Sequence, residues 1–489
     1  MNHFLLILWN EIMSLKEVIE NMSLEEEIEK IGYADGDNFR VFCKIKKLTP
    51  EIIEEMNKYA HVIFNGDFND DLTKKEGDEI VSVFSQNVKS LEFRGSFDKP
   101  LDILSPSIDT IYLECRRYRH PLDNLPDTLM GLQLGHPRES RFGSLKLKAV
   151  TRKLPDSLEF LSLALRDLNN FELEKFPNNL KIFHFHYSED LPFELPNLPQ
   201  SIEELKLFDM TNYPFLNQSL PNLKKIIAGY FFNLPLDNLP IGLESIVIRQ
   251  LSNTSTVAVG NFNQPLCKDG KTVLPDGLEE LRLETHVLTF PIVDFPKNLK
   301  KLYLDVNCYY NLENLPEGLE DLTIFNRNSF PDGCSFDNLP SSLKILKVGY
   351  CNWEKPFDYL PANLEKLSIL VYKFKHPVDN LPIGLKYLEL NLDGNQKINN
   401  LPLGLEYLRI NVNSKYSQPV RNLPPSLKHF NCNNFFDSEI VELPESLKWV
   451  KVGLNYTFIN DLKARYGDKV IVRPRRKHYD TVTYDSYTG

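Results

Sequence analysis

The sequence predicts a solenoid: one short unit repeated many times, its strands stacked into a single parallel β-sheet. Three observations carry this. Leu-Pro or Phe-Pro recurs fifteen times between Pro126 and Pro444, mostly at intervals of 19 to 24 residues, with longer gaps of 29 before Pro155 and 35 before Pro275. After almost every proline the chain reads L-x-x-L-x-L, as in Leu158, Leu161, Leu163 or Leu299, Leu302, Leu304. The residue after the first of these leucines is charged in fourteen of the fifteen copies, with nearly alternating sign from Glu159, Lys181 and Glu203 to Lys386, Glu406 and Lys428.

Each part of the phrase has a physical reason. The last two apolar positions alternate with polar ones, so they point to one face of a short strand and the residue between them to the other. A proline before the strand fixes φ, removes a donor the ladder cannot use and keeps its predecessor extended. Eight copies place Asn two residues before the proline: Asn124, Asn197, Asn238, Asn314, Asn338, Asn380, Asn400 and Asn422. Their amides can bond local backbone, which predicts an internal asparagine ladder. No repeat carries a long 3.6-residue pattern, so the return side is expected to be turns and extended chain. A single copy buries too little to order its own backbone and must stack. The alternating charges then fall along one rim as opposite-sign rungs that set register and solubility.

This period with this strand phrase is the leucine-rich-repeat signature. The expected fold is a leucine-rich-repeat-like curved stack with its parallel sheet on the concave face, a mostly irregular convex side and an α/β N-terminal cap. The domain reading is residues 1–85 as a helical segment and irregular capping repeat, 86–455 as the solenoid, and 456–489 as a C-terminal cap with a basic, tyrosine-rich tail. In the first segment, Ser14 to Lys30 reads as helix, Asp35 to Asn38 as a turn, Thr49-Pro50 as the start of a helix through Met56, and His61 to Phe64 as a strand. In the last, Ile459 to Tyr466 reads as helix stopped by Gly467, followed by a strand from Val470 to Val472.

"YFFNLPLDNLPIGLESIVI", from Tyr230 to Ile248, carries F-N-x-P-L-x-x-L-P-x-x-L, with partial copies at His120–Pro126, Asn261–Leu266, His376–Pro382 and Gln418–Pro424. This resembles the FNIP repeat family of social amoebae and giant amoeba viruses, over roughly Ser90 to Gly453. The resemblance implies a leucine-rich-like solenoid. Some relatives carry an N-terminal F-box, which implies an alternative role as substrate-recognition adaptor of a cullin-type ubiquitin ligase. Residues 1–85 lack the L-P-x-E opening of that module. The L-P-x-x-L phrase is also similar to that of bacterial secreted ubiquitin ligases, but no length remains for their catalytic domain.

Composition narrows the function classes. The 489 residues are 42% hydrophobic and 25% charged, with net charge −11, so the chain is not built to coat nucleic acid or an anionic membrane. The apolar stretch Phe4–Trp9 is too short to span a bilayer and lacks signal-peptide flanks; synthesis from Met13 would make it upstream sequence. Seven cysteines without a C-x-x-C pair suggest reduced thiols in a cytosolic or nuclear compartment, and the expected localisation is cytoplasmic. No P-loop, dinucleotide fingerprint, H-E-x-x-H or G-x-S-x-G is present. Cys267 reads as a loop cysteine rather than a nucleophile. His184 and His186 share a face but need a ligand from a neighbouring copy to hold a metal. No cofactor is expected, and the chain reads as no enzyme.

The concave face is therefore the expected partner-binding surface. Its middle column runs Gln133, Ser162, His184, Lys206, Ile227, Val247, Arg282, Tyr303, Thr323, Lys347, Ser368, Glu389, Arg409, Asn431, Lys451. Five of these are basic Lys or Arg against one acid, the reverse of the whole chain. Two residues earlier stand Tyr387, Tyr407, His429 and Trp449 in consecutive copies. Exposed rings on a rigid support anchor protein interfaces. The candidate partner-binding residues are Lys206, Arg282, Tyr303, Lys347, Tyr387, Tyr407, Arg409, His429, Trp449 and Lys451, facing an acidic or mixed protein partner.

Overall fold

The computed structural model describes residues 39–42, 45–136, 145–165, 170–186, 196–208, 218–229, 232–249, 261–326, 335–353, 355–372, 374, 376–392, 398, 400–412, 418–433 and 435–473. The N-terminal helix and the Asp35–Asn38 turn expected from the sequence lie outside them, as does the basic tail after Arg473. The chain is a parallel β-solenoid with few helices, and it divides into two compact units. One comprises residues 1–138, 144–158 and 165–172; the other comprises residues 139–143, 159–164 and 173–489.

In the first unit the strands Phe39–Phe42, His61–Phe64, Ser90–Gly95, Thr110–Cys115 and Gly131–Leu134 pair in parallel, in chain order. The helix Pro50–Met56 forms as expected, with the Thr49 hydroxyl accepting from the Ile52 amide at 3.4 Å. An antiparallel hairpin, Thr73–Glu76 with Glu79–Ser82, turns on Gly77. Gly95 is obligatory: its φ is +76°, and a Cβ there would lie 2.0 Å from the Gly66 carbonyl oxygen.

The second unit runs through fifteen described parallel strands, from Phe160–Leu163 to Val470–Val472, each pairing with the next in sequence. The predicted C-terminal helix Ile459–Tyr466 and strand Val470–Val472 are both present. No described helix is long and apolar enough to cross a membrane.

The repeated phrase maps onto one local structure. Pro155 O accepts the Leu158 amide at 3.2 Å, Pro382 O that of Leu385 at 3.1 Å, and Pro444 O that of Leu447 at 3.1 Å. The proline closes a tight turn that aims the first leucine into the core. Leu158, Leu161 and Leu163 are fully buried, as are Leu385, Leu388 and Leu390. The charged residue that follows offers its carbonyl to two successive amides of the next strand: Glu159 O accepts from Lys181 and Ile182, both at 2.9 Å. Side chains of the same row pair as rungs. Lys181 reaches Glu159 at 3.0 Å, Lys300 reaches Glu279 at 2.6 Å, Lys344 reaches Glu320 at 3.0 Å and Lys428 reaches Glu406 at 2.6 Å. These pairs are solvated and screened, so they mainly enforce register.

The 35-residue gap leaves the register intact, because Glu244 O still accepts from Glu279 and Glu280. Its extra length is partly a small hairpin, Cys267–Lys268 against Lys271–Thr272, turning on Asp269 and Gly270, both at positive φ.

The predicted asparagine rank is exposed rather than internal, although Asn314 Nδ2 does donate to backbone there, to Val293 O at 2.8 Å. The residues two before each proline, such as Asn124, Asn380 and Asn422, are exposed on the turn side. Asn380 and Asn400 bond there to Asp358 and Asp379 of the preceding copies, both at 3.3 Å. A ladder of side-chain oxygens accepting the next copy's backbone amides belongs to the residue after the spine aromatic, as in F-N-x-P, close to the surface. Asn233 Oδ1 accepts the Asn263 amide at 2.8 Å, and Asn263 Oδ1 accepts that of Thr289 at 2.9 Å. Asn69 does the same for Asp98 at 2.9 Å, Asp98 for Arg119 at 2.7 Å and Asp437 for Thr457 at 2.7 Å.

The aromatics before them stack into a spine: Phe68 on Phe97 at 6.0 Å, Phe97 on Tyr118 at 6.5 Å, Phe232 on Phe262 at 6.0 Å and Phe436 on Tyr456 at 6.1 Å. An acceptor at this rank satisfies a backbone donor that the bend leaves unpaired. Asn233→Ala is expected to cost about 1 kcal/mol, and Asn233→Asp, which keeps the acceptor, much less; urea unfolding measures both.

Candidate protein-interaction face

Strand register sets the predicted middle column in line. Ser162, His184, Lys206, Ile227, Val247, Arg282, Tyr303, Thr323, Lys347, Ser368, Glu389, Arg409, Asn431 and Lys451 are successive Cα partners. The expectation of a continuous exposed column is corrected, however. Ser162, His184, Ile227, Val247, Thr323, Ser368, Glu389 and Asn431 are buried, and so is Lys206, at 7% exposure. Strands about 4.8 Å apart let long side chains roof short ones. Thr323 lies between Tyr303 and Lys347, and Asn431 between Arg409 and Lys451.

What stays accessible is a set of half-buried long residues: Arg282, Tyr303, Lys347, Tyr387, Tyr407, Arg409, His429, Trp449 and Lys451. They do not form one site. Arg282 and Tyr303 make a group in which the guanidinium lies 3.9 Å over the ring and pairs with Glu284 at 2.5 Å. Tyr303 also meets Phe325 edge-on at 5.6 Å, and Lys347 lies 5.9 Å over that Phe325 ring.

The last four ring-bearing strands, Tyr387–Leu392, Tyr407–Val412, His429–Cys432 and Trp449–Val452, hold the second group. Tyr387 and Tyr407 stack at 4.7 Å with 10° between planes. His429 lies 4.8 Å from Trp449 and 6.0 Å from Tyr407, and Trp449 meets Tyr407 edge-on at 6.1 Å. Burial, then the charges of Lys448 and Lys428, lower the His429 pKa, which keeps the ring neutral and suited to stacking.

Polar groups beside the rings are tied into two clusters, one on Glu389 and one on Asn431. Glu389 accepts from Asn411 Nδ2 at 3.2 Å, from Ser368 Oγ and the Tyr387 hydroxyl at 3.4 Å, and pairs with Arg409 Nε at 3.3 Å. Asn431 Nδ2 donates to the Tyr407 hydroxyl at 3.1 Å, while its Oδ1 accepts from the Arg473 guanidinium. Arg473 Nε also donates to Cys432 O at 3.1 Å. Sequence reading missed Glu389 as an organiser and Arg473 altogether. The signal for Arg473 was its place two residues beyond the middle column, at the end of the last strand.

The predicted histidine pair resolves into a structural contact. His184 Nε2 lies 3.3 Å from Glu204 Oε1, and its ring meets Phe160 edge-on at 5.1 Å. Among the described residues no three His, Cys, Asp or Glu side chains gather as metal ligands. Cys267 Sγ donates to Asp294 O at 3.6 Å.

Burial pushes the His184 pKa down to about 4, the Glu204 hydrogen bond only partly opposing it. In the unfolded chain this ring protonates near pH 6.5, so the stability it contributes is present above that value. It is lost as pH falls from about 6.5 towards 4. Denaturation in urea should show a loss of about 2 kcal/mol between pH 7 and pH 5 that His184→Gln reduces.

Among solved structures, the fold matches the giant-virus protein CroV588, described as a circular leucine-rich-repeat protein, with a TM-score of 0.56 and 21% identity over 86% of this chain and 70% of that one. The fold is that of a leucine-rich-repeat solenoid. YopM from Yersinia enterocolitica WA-314 aligns with a TM-score of 0.42 and 20% identity, covering 85% of this chain and 91% of its own. No protein-family model and no curated protein matches the chain.

Proposed function

We propose that the chain is an intracellular, non-enzymatic protein-interaction scaffold of the FNIP-repeat type, and that it takes its partner on the ring-bearing sheet face between Tyr387 and Lys451. The observation that carries this reading is the packed run of Tyr387, Tyr407, His429 and Trp449, half-exposed and held at 4.7 to 6.1 Å from one another. Rings ordered before the partner arrives lose little entropy on binding, which is what makes such groups energetic anchors. Arg409 and Lys451 beside them favour a partner surface that is acidic or mixed.

The ligase-adaptor alternative has less support. It needs residues 1–85 as a separate docking module, whereas His61–Phe64 pairs with Phe39–Phe42 and Ser90–Gly95 in the first unit's own sheet.

Affinity capture from an amoebal lysate tests the proposal, with the intact chain beside Tyr407→Ala, Trp449→Ala as bait. A protein retained by the intact chain and lost from the variant supports the ring face. An unchanged captured set counts against it, and ligase subunits lost only on deleting residues 1–85 would favour the adaptor.

A further inference from the structure

Away from the sheet face, the described residues expose a run of apolar side chains at the tips of consecutive Leu-Pro turns. The residues after Pro361, Pro382, Pro402 and Pro424 are Ala362, Ile383, Leu403 and Pro425, all exposed, Ile383 to 83% and Leu403 to 70%. The four tips before them are Asp276, Lys297, Glu317 and Ser341, and the next is Glu445; Ile241, 87% exposed after Pro240, is an apolar tip standing apart, so consecutive apolar tips occur in this run. The turns that carry the tips lie close to one another at the backbone. A Cβ on Gly384 would lie 3.4 Å from Ala362 O and one on Gly404 3.7 Å from Ile383 O, while Ser426 Oγ donates to Leu403 O at 2.6 Å. The strip is continuous across three strand spacings, about 14 Å. A contiguous apolar strip facing water marks a docking surface.

The charges beside it indicate the occupant. The rung residues of the same four repeats are Glu365, Lys386, Glu406 and Lys428, with 41 to 61% of each side chain exposed. Acid, base, acid, base sums to zero, so a partner face of one sign would meet as much repulsion as attraction. Within the chain Lys386 pairs with Glu365 at 3.7 Å and Lys428 with Glu406 at 2.6 Å; the arrangement that also sets each rung against an opposite charge across a contact is the same strip turned through a two-fold axis passing between Ile383 and Leu403. That operation sets Ile383 of one copy over Leu403 of the other and Ala362 over Pro425. It also faces Glu365 with Lys428 and Lys386 with Glu406. We propose that this turn-tip strip is an isologous dimer contact, occupied by a second copy of the chain.

Sedimentation equilibrium of the full chain tests this over low to several hundred micromolar protein. The apparent mass should climb from 56.7 kDa towards twice that value with concentration. Ile383→Lys combined with Leu403→Lys should hold it at 56.7 kDa throughout, with an unchanged circular dichroism spectrum because both side chains point into water. Lys386→Glu should weaken association by roughly tenfold through like-charge contact, and adding Glu406→Lys should recover it. A wild-type chain that stays monomeric at every concentration overturns the proposal and leaves the strip to a foreign protein. So does a dimer that survives the double lysine change, or a reciprocal swap that recovers nothing.

Discussion

Phe97→Ala is expected to lower the stability of the first unit by about 3–5 kcal/mol, the range for removing a large ring from a close-packed core. Phe97 is fully buried, with its ring 4.0 Å from that of Phe93 and stacked between Phe68 and Tyr118 at 6.0 and 6.5 Å. Its neighbours sit on strands and turns pinned by the ladder of Asn69 and Asp98, so they cannot collapse into the cavity. Because each repeat touches only the next, the loss should appear as early unfolding of one part of the array rather than a shift of the whole transition. Phe97→Leu, which refills part of the volume, should recover roughly half. Urea denaturation followed by proteolysis measures both. A loss below about 1 kcal/mol for the alanine variant would mean that the spine is not a stability element.

The second large effect concerns binding. With the protein captured on the ring face as ligand, Trp449→Ala should weaken affinity by roughly a hundredfold, on the order of 2–4 kcal/mol, as central aromatic anchors do. Trp449 contacts both His429 and Tyr407, so its removal also frees the neighbouring rings to move. Arg282→Ala should change affinity little, because that guanidinium belongs to the separate Tyr303 and Glu284 group. Isothermal titration with intact, Trp449→Ala and Arg282→Ala proteins distinguishes the two groups. Equal losses from both would mean one extended interface rather than a site at the last strands.

Much of this was legible in the sequence because the repeated phrase is a direct record of local physics. Proline closing the turn, leucines at alternating positions and an acid followed by a base one repeat later each have one geometric solution, and the strands and rungs adopt it. The asparagine ladder was misplaced because two asparagine ranks recur, and local turn chemistry favours both. Only the fold shows that the rank after the spine aromatic accepts the next repeat's amide, while the rank before the proline is exposed and its amides donate back to the preceding repeat. The first unit's repeats were partly hidden because Ser85 and Ser105 stand where proline stands elsewhere. Their carbonyls close the same turns, onto Val88 and Ile108, and their hydroxyls accept the amides of Asn87 and Ser107. Burial of the middle column could not be read from strand alternation, since it depends on the lengths of neighbours across the sheet.

The most direct test of the central claim is site-specific photo-cross-linking in the presence of the captured partner. A benzophenone side chain is placed at Lys451, on the ring-bearing face, and in a separate protein at Phe435, an outer residue 71% exposed. The account predicts a partner adduct from position 451 and none from 435. An adduct from 435 alone would contradict it and move the binding surface off the sheet.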